Sequence, residues 1–159
     1  MIGMPGSGKS TIGKAVAKRL GRPFLDTDEM IEEKEGSTCA EIILSGGEEA
    51  FRRLEIEATA EAGKQTGHVI ATGGGVVLKP ENFYSLKQNG TIFWITRDVE
   101  WLEQQGRPLS ADRETLWKLF QQREPLYRKF SDVIVENNGA LEDTANLILE
   151  EFSRKMQGG

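Results

Sequence analysis

Apolar residues fall at helical spacing in the first third of the chain. Ile12, Ala15, Val16 and Leu20 share one face, so a helix is predicted from Lys9 to Leu20. Gly21 stops it and Pro23 follows, as expected of a helix end. Pro23-Phe24-Leu25 reads as a short buried strand, with Asp26-Thr27-Asp28 at its carboxyl end. A helix is predicted from Glu29 to about Gly36, with Asp28 able to cap it. Thr38 opens a short helix carrying Ile42, Ile43 and Leu44, and Gly46-Gly47 ends it. Glu48 to about Thr66 reads as a long helix with Phe51, Leu54, Ile56 and Ala58 on its core side. A strand is expected over His68–Ala71, followed by Thr72-Gly73-Gly74-Gly75. Then come a helix from Glu81 to Lys87 and a turn at Asn89-Gly90. Thr91–Ile95 is a nearly continuous apolar strand, the pattern of a strand covered on both faces. Asp98–Gln105 reads as helix, broken at Gly106-Arg107-Pro108. Helix resumes from Asp112 to Arg123 and continues past Pro125 with a kink. Asp132–Val135 is the last strand, Asn137-Asn138-Gly139 a turn and Leu141–Phe152 the terminal helix, with fraying expected from Met156 onward.

Strands alternate with helices throughout, which predicts an α/β fold: a parallel sheet with helices on both faces. A length of 159 residues suits a single domain, spanning 1–159. Net charge of −5 disfavours a nucleic-acid-binding face, so any positive charge that matters is local. Cys39 is the single cysteine and His68 the single histidine. Together they exclude an internal disulfide and a zinc site of the usual kind. No apolar run reaches membrane-spanning length and no secretory-signal pattern is found, so a cytoplasmic protein without a membrane partner is expected.

The densest chemistry lies at the start, in MIGMPGSGKST. Gly3, Gly8, Lys9 and Ser10 satisfy G-x-x-x-x-G-K-S/T, the P-loop pattern. Glycines at 3, 6 and 8 free the backbone so that successive N–H groups can turn toward phosphate oxygens. The helix that follows adds the positive end of its dipole. Gly6, Ser7, Gly8, Lys9, Ser10 and Thr11 are therefore the candidate nucleotide-binding residues, with Lys9 beside the β- and γ-phosphates and the Ser10 hydroxyl on Mg²⁺. A P-loop follows a buried strand, yet only Met1 and Ile2 precede Gly3. The first strand is thus expected to be truncated, with residues upstream.

No strand ends in a separate Walker-B aspartate; the one before Thr72 ends in glycines. Asp26 and Asp28 are the candidate carboxylates, two apart and facing the same way in an extended segment. Asp26 suits the Mg²⁺ shell; Asp28 suits a hydrogen bond or proton from a substrate hydroxyl. Capping by Asp28 and a turn role for Asp26 are the plainer alternatives. Three glycines at a strand end call for a close approach to backbone. Arg52, Arg107 and Arg123 carry forks that match a carboxylate or phosphate. Arg52 could equally pair with Glu48, Glu49 or Glu55 along its own helix.

Taken in order, GMPGSGKSTIGKAVAKRL, FLDTD, GGEEAFRRLE, ATGGGVV, GRPL and REPLY resemble shikimate kinase from Gly3 to about Phe152. The resemblance implies a three-layer α/β/α, nucleoside-monophosphate-kinase-like P-loop fold with a five-stranded parallel sheet. It implies transfer of the ATP γ-phosphoryl group to the 3-hydroxyl of shikimate, with Mg²⁺, in aromatic amino acid biosynthesis. Shikimate and ATP are then the partners, and a monomer is expected. By the same resemblance Asp28 binds the shikimate hydroxyls and acts as base, and Asp26 stands near the metal. Arg52 and Arg123 clamp the shikimate carboxylate, and Gly73, Gly74 and Gly75 line its ring. Glu55 holds the site arginines, and Arg107 reaches from the lid to the phosphates. The substrate-binding region is placed at about 27–58.

Two departures stand out. Only Leu102 to Gly106 separate Trp101 from Arg107, so the lid, about 102–112, is short and lacks a further arginine for adenine. Ser110 stands where the family has leucine. These bear on lid closure and not on the pocket. A gluconate-type kinase and a non-catalytic nucleotide-binding domain remain the alternative readings.

Overall fold

The computed structural model describes residues 1–102 and 113–158. Helix α1 runs Lys9–Leu20, starting from Gly8 at φ 93° and ending at Gly21 at φ 65°. Both conformations are left-handed, where a β-carbon is strained. Strand β1 (Phe24–Asp26) passes directly into α2 (Thr27–Glu35). Asp26, not Asp28, is the cap: its side chain accepts from the N–H groups of Asp28 and Glu29. The helix begins earlier than predicted because a strand-end carboxylate reaches its first free donors. Helix α3 (Cys39–Gly46) is capped by Thr38, and α4 spans Glu48–Gly63.

Strand β2 covers Val69–Ala71, without His68. A 3-10 turn at Val76–Leu78 leads into α5 (Pro80–Lys87). Strand β3 is Phe93–Thr96, two residues later than predicted at its start, and α6 is Val99–Leu102. Helix α7 runs Arg113–Phe130 through Pro125, which leaves the Gln121 carbonyl without its helical donor. Strand β4 is Val133–Glu136, and α8 continues from Leu141 to Gly158, past the predicted fraying point.

The strands form two parallel pairs, β1 with β2 and β3 with β4. Met1 and Ile2 lie between the pairs. The Met1 amine donates to the Ile70 carbonyl at 2.6 Å, and Thr72 N–H donates to the Met1 carbonyl at 3.1 Å. On the other side Ile2 N–H donates to Phe93, and Ile95 N–H donates to Ile2, both at 2.9 Å. Met1 and Ile2 therefore tie both pairs together.

Side chains of β3 alternate between two cores, as the pleat requires. Trp94, with Ile92 just before the strand, joins Ile2, Met4, Leu116, Tyr127 and Phe130 on one face. Phe93 and Ile95 join Ile12, Val16, Val135, Ala145 and Ile148 on the other. Helices cover both faces, so the layered α/β prediction holds. Among the described residues, no helix is long and apolar enough to cross a membrane. Every segment that follows a strand's carboxyl end emerges on the same edge, which is where ligands bind in such sheets.

Candidate active site at the carboxyl edge of the strands

The glycine-rich loop between Ile2 and α1 is held as a cradle. Gly3, Gly6 and Gly8 have φ of 151°, 82° and 93°. The buried Lys9 ammonium donates to the carbonyls of Gly3 and Met4, at 2.8 and 3.0 Å. Arg97 Nη1 donates to the Gly6 carbonyl at 3.3 Å, and Asn137 Nδ2 to the Ser7 carbonyl at 2.7 Å. Ser7 is fully buried. Thr11 lies exposed in the first turn of α1.

Ser10 follows the cradle, and its hydroxyl donates to Asp26 Oδ2 at 2.7 Å. The other Asp26 oxygen caps α2. One carboxylate thus locks strand end, helix start and P-loop together. Among the described residues no group of three or more His, Cys, Asp or Glu could hold a metal by themselves. The Ser10–Asp26 pair offers hard oxygens, the donor type Mg²⁺ takes alongside water and phosphate.

Asp28 is brought in by the first turn of α2. A β-carbon on Gly73 would stand 2.6 Å from Asp28 Oδ1 and 3.1 Å from Glu55 Oε2. Both oxygens are buried without a hydrogen-bond partner. Burial first, then the charges of Glu55 and Asp26, push the Asp28 carboxyl up to about 6, against the pull of Lys9. Arg52 and Glu55 come from one face of α4. Arg52 donates to Glu55 Oε1 at 2.9 Å and to Glu48 Oε1 at 3.2 Å. Glu49 pairs with Lys79 instead, at 2.8 Å. The Arg52 guanidinium packs against Gly75, where a β-carbon would overlap it. Arg123 arrives from α7; its Nη1 would lie 3.2 Å from a β-carbon on Gly74. Tyr127, one turn on and fully buried, donates to the Gly74 carbonyl at 2.6 Å. Burial pushes the Glu55 carboxyl up, while Arg52 and Arg123 pull it down.

The structure therefore gathers Asp28, Arg52, Glu55 and Arg123 around Gly73-Gly74-Gly75. Pro5 of the P-loop meets the same triplet, since a β-carbon on Gly74 would stand 2.7 Å from its ring. The two arginines keep nitrogen hydrogens beyond those used internally. Such a pocket can accept a small anion that also carries hydroxyls. Arg107, Ser110 and the rest of the expected lid (about 102–112) beyond Leu102 lie outside the described residues, as does the end of the expected helix from Asp98 to Gln105. Arg97, Asn137 and Tyr127 join the site without a mark in the sequence that points to it. Asn137 reads there as a turn residue, and Tyr127 as a core aromatic within REPLY.

A glycine-rich P-loop cradle on a parallel α/β sheet, beside a pocket of arginines and carboxylates, defines a P-loop protein of the small-molecule kinase type. The family model for shikimate kinase matches residues 5–153. A curated shikimate kinase of Symbiobacterium thermophilum is 36% identical over all of this chain and 98% of its own length. That of Thermodesulfovibrio yellowstonii is 40% identical over 99% of this chain and 96% of its own. The solved structure of shikimate kinase from Acinetobacter baumannii in complex with shikimate superposes with a TM-score of 0.91. It is 36% identical, covering 97% of this chain and 91% of that one. The chain belongs to the shikimate kinase family.

Proposed function

We propose that the protein transfers the γ-phosphoryl group of ATP to the 3-hydroxyl of shikimate, giving shikimate 3-phosphate and ADP. The observation that carries this is the meeting of Asp28, Arg52, Glu55 and Arg123 on a bare glycine edge touching the P-loop. A relative of this chain is held in complex with shikimate, a small carboxylate with several hydroxyls. Two guanidinium forks suit its carboxylate, and Asp28 with glycine backbone suits its hydroxyls. Leaving any of these buried and unpaired is costly, which makes such a pocket selective.

In this reading Gly6, Ser7, Gly8, Lys9, Ser10 and Thr11 hold the nucleotide. Lys9 neutralises charge on the transferring group, joined by Arg107 from the lid. Ser10 and Asp26 would hold Mg²⁺. When bound, the ion would supply positive charge against the phosphates. Asp28 orients the attacking hydroxyl and accepts its proton, which its raised pKa favours. Arg52 and Arg123 fix the substrate carboxylate, and Gly73, Gly74 and Gly75 line the ring. Most of the acceleration comes from positioning and electrostatics.

The same reading takes residues 1–159 as one domain and Met1-Ile2 as the central position of a five-stranded parallel sheet. It takes the chain as a cytoplasmic monomer, where Cys39 serves only in packing; burial pushes its thiol up to about 12.

The test is a coupled assay for ADP release with shikimate, quinate or gluconate as acceptor. ADP release that depends on shikimate, and far less on the other two, is expected. Release that is equal with gluconate, or absent with all three despite ATP binding, overturns the proposal.

A further inference from the structure

The P-loop is braced from outside by a turn that no part of the nucleotide-binding motif includes. Asn137 follows β4, and its own N–H donates to the Thr96 carbonyl at 2.7 Å. That bond docks the turn on the end of β3. Its side-chain Nδ2 donates to the Ser7 carbonyl at 2.7 Å. Its Oδ1 accepts from the buried Thr144 hydroxyl of α8 at 3.0 Å. A carbonyl only accepts, so the amide nitrogen must face Ser7, and the Thr144 hydroxyl completes the other half of the amide.

A trans peptide points its C=O and N–H in opposite directions. Holding the Ser7 carbonyl toward Asn137 therefore turns the Gly8 N–H away from Asn137, into the cradle. Gly8 is the last residue before α1, so this N–H lies at the positive end of the helix. The approach is close: a β-carbon on Gly8 would stand 2.7 Å from Asn137 Nδ2. Gly8 is thus required twice, for its left-handed φ of 93° and for the room it leaves the amide.

We propose that Asn137, oriented by Thr144, is a positioning residue for the nucleotide: it fixes the Ser7–Gly8 peptide with its N–H toward the phosphates. The inference rests on the P-loop holding a nucleotide, as in the function proposed above, but not on the identity of the acceptor. Asn137 meets the loop at the Ser7 carbonyl. Its effect runs through one peptide plane.

The test uses two variants that add no charge, Asn137→Leu and Thr144→Val, and their combination. Titration calorimetry with MgADP gives Kd directly, and steady-state assays give KM for ATP and for shikimate. Asn137→Leu is expected to raise the MgADP Kd and the ATP KM about tenfold, with the shikimate KM within about twofold of wild type, the loss of one fixed charge-assisted donor. Thr144→Val is expected to give a smaller rise in the same two quantities. On the Asn137→Leu background it should add nothing, because Thr144 acts only through the Asn137 amide. Should Asn137→Leu not fold, Thr144→Val against wild type decides the question through the same two quantities. An unchanged MgADP Kd in both variants overturns the inference, as does an equal rise in both KM values. Additive effects in the double variant overturn the role of Thr144. A wild-type protein that binds MgADP but phosphorylates no shikimate sinks the proposed activity and leaves this inference standing.

Discussion

Asp28 is held where its charge is costly. Its carboxyl is raised from an ordinary value of 3.8 to about 6, chiefly by burial. The unfolded chain releases that proton near 3.8, the folded chain only near 6. Between those values the folded state binds more protons, so this group's contribution to stability falls as pH rises. At neutral pH it opposes folding. Asp28→Asn is therefore expected to stabilise the free protein by on the order of 1–2 kcal/mol, read by denaturant unfolding at pH 7. The same change should lower kcat by roughly two to four orders of magnitude while MgADP still binds. In the wild type, kcat/KM for shikimate should fall on the acid side with an apparent pKa near 6. A variant with near-normal turnover, or a flat profile from pH 5 to 8, removes Asp28 from the chemistry.

Helix α4 carries Arg52 and Glu55 three residues apart, and α7 carries Arg123 and Tyr127 four apart. Each pair shares one helix face, which is how two helices deliver four groups to one glycine edge. Arg123 is also bound to the packing of α7 through Tyr127, which stacks on Trp94 at 5.7 Å. Arg123→Lys keeps the charge and loses the fork. It is expected to raise the shikimate KM about tenfold or more and the ATP KM by less than about twofold; equal rises would contradict the clamp. The helices, the P-loop and Asp28 as a candidate carboxylate were legible because each leaves a local mark: periodicity, a glycine spacing, a carboxylate after a strand. The meeting of Asp28 with Gly73 was implied only by the resemblance to shikimate kinase. The cap was not legible, since Asp26 and Asp28 both stand at the start of the helix and only the turn geometry chooses between them. Whether Arg52 paired along its helix or faced a ligand was open in sequence; the structure shows the pairing with Glu48 and Glu55 and sets the guanidinium against Gly75. The Asn137 brace was illegible because it spans 130 residues of chain, while Asn137-Asn138-Gly139 is already explained as a turn.

Across the whole molecule, function and weakness lie at opposite ends of the strands. The carboxyl edge is knitted by Asp26, Arg97 and Asn137. At the amino edge a cavity of about 510 Å³ runs beneath Met1, lined by Val16, Leu20, Ile70, Phe93, Ile148 and Phe152 among others. The Ile70 carbonyl accepts from Met1 and the Phe93 carbonyl from Ile2, so the N–H groups of those same two residues face that cavity as well. The backbone there is set out for an extended segment running parallel to β2 and β3. Four apolar β-branched residues joined ahead of Met1 should occupy the cavity and pair with Ile70 and Phe93. The extended chain is expected to melt roughly 5–10 °C higher at pH 7, while kcat stays within about twofold. A melting temperature that does not rise would show that burying apolar side chains in this cavity adds nothing to the sheet.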